Sequence, residues 1–125
     1  MCDRILVVDD DASIARALSI RLEAAGYDVT HAADGAAGLD VARTQPPALI
    51  LLDIRMPGLD GFDVNRALKE DPALADIPVV FLSANVRDST RQKALAAGAA
   101  AFLAKPYDAA MVLKTIARLL TSTTA

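Results

Sequence analysis

The sequence predicts an α/β domain whose parallel sheet is covered by helices on both faces. Three observations carry this. Strand-like and helix-like segments alternate five times along 125 residues. Most of the strand-like runs, such as Ile5-Leu6-Val7-Val8 and Ala48-Leu49-Ile50-Leu51-Leu52, are continuously apolar, the pattern of strands buried on both faces. The connections between segments are short and marked by Gly, Pro and Asp.

Strand one is expected at about Ile5–Val8. Helix one follows, with Ile14, Leu18, Leu22 and Ala25 spaced for one face, Asp11 or Ser13 as its cap, and Gly26 as its stop. Tyr27–Ala32 alternates weakly and reads as strand two. Asp34-Gly35 opens a second helix through about Arg43, ended by Pro46-Pro47. Strand three is Ala48–Leu52. After the loop Pro57-Gly58-Leu59-Asp60-Gly61, helix three spans Phe62–Glu70. Strand four is Ile77–Leu82. Helix four, about Val86–Ala97, is rich in alanine with few large anchors, and Gly98 ends it. Strand five is Ala100–Leu103. Helix five runs over about Asp108–Leu120, with Val112, Leu113, Ile116, Leu119 and Leu120 as its apolar stripe. The domain is expected over residues 1–121, with a frayed polar tail over 122–125.

Composition narrows the function. Net charge is −3 and no basic block is present, which argues against direct nucleic-acid binding. Cys2 is the only cysteine, so no internal disulfide is possible. No apolar run approaches the roughly 20 residues of a membrane span, and Met1-Cys2-Asp3-Arg4 lacks a signal-peptide apolar region. A soluble cytoplasmic protein is the expectation. Met56 and Met111 read as packing residues, and His31 as structural or solvent-facing.

The chemistry gathers at strand ends. Strand one ends in Asp9-Asp10, strand three in Asp53, strand four in Ser83-Ala84, and strand five runs into Lys105-Pro106. If the strands are parallel, these groups converge at one edge, where open α/β sheets bind ligands. Adjacent carboxylates repel, and an oxygen-only set with no clustered His or Cys selects a hard divalent ion, Mg²⁺ or Mn²⁺. The plainer reading is that Asp9, Asp10 and Asp11 only cap helix one.

These residues carry a resemblance. Val7-Val8-Asp9-Asp10, Leu52-Asp53 with Met56-Pro57-Gly58, Leu82-Ser83-Ala84 and Lys105-Pro106 resemble the receiver domain of two-component response regulators, in that family's order and approximate spacing. The resemblance implies a flavodoxin-like doubly wound (βα)5 fold with strand order 2-1-3-4-5. It implies a phosphoacceptor at Asp53, supplied by a histidine kinase or a histidine phosphotransfer protein. Asp10, Asp53 and the backbone carbonyl of Arg55 would bind Mg²⁺ directly, and Asp9 through water. Lys105 and Ser83 would contact the phosphoryl group, and Phe102 would be the switch aromatic. Ala84 would leave the approach to Asp53 open, while Arg55 and Asn85 would tune the lifetime of the phosphoryl group. A cis bond is expected at Lys105–Pro106. Ile14 and Tyr107 would border the donor's docking surface. The face of helix four, strand five and helix five would report to a downstream protein target.

Departures matter too. Ala100 and Ala101 stand where many DNA-binding regulators carry acidic residues that pair across a dimer, so a monomer or weak dimer is expected. The chain ends shortly after helix five, as in a stand-alone chemotaxis or phosphorelay receiver or in one excised from a larger protein. Three rivals compete. An aspartyl-phosphate hydrolase would want an acid where Arg55 stands. A flavodoxin-like electron carrier would want a hydroxyl-rich loop where Asp9-Asp10-Asp11 stands. A phosphorylation-independent interaction module would not need the reactive residues at all.

Overall fold

The computed structural model describes residues 3–56, 58–84, 87–105 and 108–123. Strands and helices alternate: β1 (Arg4–Val8), α1 (Ala12–Ala24), β2 (Asp28–Ala32), α2 (Gly35–Thr44), β3 (Leu49–Asp53), α3 (Gly61–Glu70), β4 (Val79–Ser83), α4 (Asp88–Ala96), β5 (Ala101–Ala104) and α5 (Ala109–Thr123). The five strands form one sheet in the order β2-β1-β3-β4-β5. Every pairing is parallel, with Val8 beside Leu52, Leu52 beside Phe81 and Phe81 beside Phe102. This is the flavodoxin-like doubly wound fold that the resemblance implied. No helix among the described residues is long and apolar enough to cross a membrane.

The continuous apolar runs have a direct cause. Successive side chains of a strand point to opposite faces, so a strand covered on both sides must be apolar at every position. Leu6, Val8, Ile50, Leu52, Val79 and Phe81 pack into one core with Leu39, Val64, Leu68 and Ala94 of the helices α2, α3 and α4. Ile5, Val7, Leu49, Leu51, Val80 and Leu82 pack into the other with Leu18, Leu22, Val112 and Ile116 of α1 and α5. β2 is an edge strand, and its weaker alternation shows as partial exposure.

Several boundaries shift from expectation. On α1 the buried stripe is Ala15, Leu18 and Leu22, while Ile14 is 37% exposed. The cap is Asp11, whose carboxylate accepts from the N–H groups of Ser13 and Ile14. β4 begins at Val79, because residues 71–76 form a turn that buries Leu74. β5 covers Ala101–Ala104 rather than starting at Ala100. Met111 does not pack inside; it is 52% exposed, beside the stripe that buries Val112 and Ile116. α5 continues through Thr123, so residues 122 and 123 of the expected tail are helical. No Gly or Pro follows Leu120 to stop the helix, and the lower propensity of Ser and Thr costs only a few tenths of a kcal/mol each.

The turn after β3 is the tightest constraint near the sheet edge. The Gly61 N–H donates to the Ile54 carbonyl at 2.8 Å, folding the loop back onto β3. A Cβ at Gly61 would lie 2.6 Å from the Asp53 carbonyl oxygen and 2.7 Å from Ile54 Cα, both backbone atoms that no rotamer can move. Gly61→Ala is therefore expected to destabilise the domain by about 1–3 kcal/mol, the usual cost of overpacking. A urea titration checks this, and an unchanged midpoint would contradict it.

Candidate functional site

Parallel pairing puts the C-terminal ends of β1, β3, β4 and β5 along one edge, and the chemistry of the sequence is brought together there. Asp9 follows β1, Asp53 and Ser83 are the last residues of β3 and β4, and Lys105 follows β5. Asp9, Asp53 and Ser83 are buried, whereas Asp10 is exposed. Carboxylate oxygens of Asp9, Asp10 and Asp53 all lie within 4.8 Å of one another. The Lys105 ammonium donates to Asp53 Oδ2 at 3.0 Å and to Asp9 Oδ2 at 3.3 Å.

Each carboxylate has a distinct environment. Asp9 is satisfied on both sides, since its Oδ1 accepts from the Asp11 N–H at 2.9 Å. Asp53 Oδ1 accepts from the Arg55 N–H at a longer 3.3 Å. Among the described residues no hydrogen bond to the Asp10 carboxylate is seen, so Asp10 is open to a cation. His31 was expected to be structural or solvent-facing, and it is both: it is exposed, and its Nε2 lies 2.7 Å from the Asp9 carbonyl, the geometry of a donated hydrogen bond. That bond fixes the backbone on which Asp9 and Asp10 sit. Neither it nor the second Lys105 contact, to Asp9, has a signal in the sequence beyond the residue types.

Charge decides what the pocket needs. Three carboxylates and one ammonium leave two negative charges at the sheet edge. At an effective dielectric near 20, two unit charges about 5 Å apart repel by ~3 kcal/mol. A divalent cation neutralises the pair, and an all-oxygen donor set suits Mg²⁺. The residues present thus fit the metal. Burial raises the Asp53 carboxyl above its ordinary range; the hydrogen bond and charge of Lys105 pull it back, and the charge of Asp9 raises it again, leaving it raised. For Lys105, burial lowers the ammonium, but its hydrogen bond to Asp53 and the charges of Asp53 and Asp9 outweigh this, leaving it raised.

Around this centre, Ser83 lies at the base of a cleft of about 630 Å³ that Ile54, Arg55, Met56, Phe62, Thr90 and Lys93 also line. Arg55 and Ala84 are exposed. Met56 is buried, as expected. Phe102 is half-buried against the core beneath α2, α3 and α4, and the Arg91 guanidinium lies 5.3 Å from its ring centroid. Asn85, Pro106 with its expected cis bond, and Tyr107 lie outside the described residues.

A buried carboxylate at a strand end, paired with a lysine beside two further aspartates, on a 2-1-3-4-5 parallel sheet, is the arrangement of a receiver domain. Residues 5–117 match the response regulator receiver domain family, and the chain belongs to it. It is 42% identical over 120 residues to the DNA-binding dual master transcriptional regulator RpaA of Synechocystis, covering 96% of this chain and 50% of RpaA. It is 37% identical over 113 residues to protein PilH of Pseudomonas aeruginosa, covering 90% of this chain and 93% of PilH. Its fold superposes on the chemotaxis protein CheY4 of Vibrio cholerae with a TM-score of 0.89 and 32% identity, covering 94% of this chain and 98% of CheY4. The chain thus spans half the length of RpaA and nearly all of PilH. The receiver family to which it belongs is one of signalling domains of two-component systems.

The raised Asp53 carboxyl has a consequence for stability. An acid raised by folding supports the fold while protonated, and that support is lost as pH rises through its folded value. Ionised Asp53 therefore weakens the fold at neutral pH. Without added metal, Asp53→Asn should melt higher than the wild type at pH 7. The difference should shrink as pH falls toward the ordinary carboxylate range. Thermal melts across this window check it; a variant that melts lower at pH 7 would contradict the assignment.

Proposed function

We propose that Asp53 accepts a phosphoryl group from the phosphohistidine of a histidine kinase or histidine phosphotransfer protein, and that its arrival alters the face formed by α4, β5 and α5. The observation that carries this reading is the Asp53 carboxylate itself: buried, held by Lys105, and within reach of Asp9 and Asp10. Its raised basicity suits a nucleophile. A bond forms between Asp53 Oδ and phosphorus as the bond from phosphorus to the donor imidazole breaks, with the imidazole leaving in line. Asp10, Asp53 and the Arg55 carbonyl would hold Mg²⁺ or Mn²⁺. The ion, when bound, draws negative charge from the phosphoryl oxygens.

The chain's own groups supply the rest. Lys105 is bonded to Asp53 before transfer and is placed to follow the new charge onto a phosphoryl oxygen. The buried Ser83 hydroxyl is the next donor along the edge, and its movement toward the phosphoryl group would open space for the Phe102 ring. The ring sits between the core and Arg91, which suits a side chain with an inner and an outer position. The donor would dock over α1, where Ile14 is exposed beside the pocket. The downstream protein would read the other side, where a groove of about 440 Å³ runs along β5 between Phe102, Leu103, Met111, Lys114 and Arg118. With Ala100 and Ala101 on that face, a monomer or weak dimer would present it.

Incubation with acetyl phosphate or phosphoramidate and Mg²⁺ should add one phosphoryl group by intact mass. None should appear in Asp53→Ala or in excess chelator. Asp10→Asn should weaken metal binding more than Asp9→Asn, because Asp9 is already engaged by Lys105 and the Asp11 N–H. Full phosphorylation of Asp53→Ala would overturn the assignment.

Arg55 offers its backbone carbonyl to the metal and its exposed side chain to the approach. Arg55→Ala should therefore change the dephosphorylation rate several-fold and leave Mg²⁺ affinity nearly intact. Equal phosphoryl lifetimes in the two proteins would remove this role.

A further inference from the structure

We propose that Asn65 is a positioning residue that couples the state of Asp53 to α4 through α3, by a route separate from Ser83 and Phe102. The proposal rests on Asp53 being the phosphoacceptor.

Asn65 stands where the packing of α3 calls for an apolar side chain. It is 1% exposed and shares the buried stripe of α3 with Gly61, Val64 and Leu68. A buried amide is costly unless its hydrogen bonds are made. Its Nδ2 donates to the Ala97 carbonyl at 2.8 Å, but its Oδ1 has no hydrogen-bond partner among the described residues. A leucine would bring no buried polar atom of its own, but it would leave the Ala97 carbonyl without this donor. The amide is thus worth what it does to Ala97, the C-cap residue of α4, whose carbonyl has no partner within its own helix.

α4 depends on such ties. Ala94 is its one buried side chain among the described residues. Two exposed cations of the helix also lie on aromatic rings: Lys93 Nζ is 4.4 Å from the Phe62 centroid, and Arg91 is 5.3 Å from that of Phe102. Among the described residues no side chain hydrogen-bonds its N-cap. With so little apolar burial, one hydrogen bond at the C-cap is a large share of what fixes its position.

The other end of the route is at Asp53. Gly61 lies against the Asp53 carbonyl, and its N–H holds the Ile54 carbonyl. Asn65 is one helical turn further on. The Asp60–Asp63 capping box makes that first turn stiff. A shift of the β3 end therefore moves Asn65, and Asn65 carries the Ala97 carbonyl with it. Beyond Ala97 the chain turns at Gly98, with φ at +87°, and enters β5.

The test uses beryllofluoride with Mg²⁺ as the stand-in for the phosphoryl group and amide hydrogen exchange as the readout. In the wild type, beryllofluoride should change exchange both beside Ser83 and across α4 and the 97–99 turn. In Asn65→Leu, exchange at 97–99 without beryllofluoride should rise about tenfold. The beryllofluoride response of α4 should fall to about half or less while the response beside Ser83 persists. An equal α4 response in both proteins would overturn the coupling role, since a merely structural residue changes basal exchange alone. Should Asn65→Leu not fold, Asn65→Ala takes its place with the same expectation. A wild type without any response would instead refute the phosphoacceptor reading, and this inference with it.

Discussion

The Lys105 ammonium is the contact on which the site depends. It reaches Asp9 and Asp53 at once, from a position just past the opposite side of the sheet from β1. Without it, two buried carboxylates would face each other at the sheet edge, and burial of an unpaired charge costs several kcal/mol. With it, one negative charge is neutralised and the ends of β1, β3 and β5 are drawn to a common point. The pairing is deliberately incomplete in physical terms. Asp10 adds a further charge that Lys105 does not neutralise, so the edge keeps the net negative charge that suits a divalent cation.

The stiff and soft parts of the domain divide along the same edge. β1, β3 and β4 are almost wholly buried, and their helices pack against them with branched aliphatic side chains. Among the described residues, α4 is tied by the buried Ala94, two cation–ring contacts and one amide hydrogen bond. Such contacts are individually worth about 0.5–2 kcal/mol, so they can be exchanged without disturbing the core. Chemistry is thereby held on rigid strand ends, while the element able to report it is loosely tied.

Much of this was legible in the sequence, for identifiable reasons. Apolar runs only four or five residues long, bounded by turn residues, read as doubly covered strands, and the polar punctuation put Asp9, Asp53, Ser83 and Lys105 at strand ends. Helix phase was less legible. Ile14 and Ala15 are adjacent, and the heavier residue was assigned to the core although the smaller one packs against the sheet. Met111 failed likewise, because an apolar side chain beside a stripe can as easily line a surface groove. Contacts between distant segments left no local trace: the His31 bond to the Asp9 carbonyl spans the β1–β2 register, and the Asn65 bond to Ala97 joins two helices 32 residues apart. Such bonds follow from the fold and are visible only once it is known.

The central claim is that Asp53, Asp10 and a divalent cation form one centre whose charge is shared with Lys105. Calorimetric titration of Mg²⁺ tests it most directly, using wild type, Asp10→Asn, Asp53→Asn and Lys105→Met. The account predicts one saturable site in the wild type, loss of affinity in both aspartate variants, and affinity at least equal to wild type in Lys105→Met, where a competing positive charge is gone. A wild type that binds no Mg²⁺, or binding indifferent to Asp10 and Asp53, would contradict it.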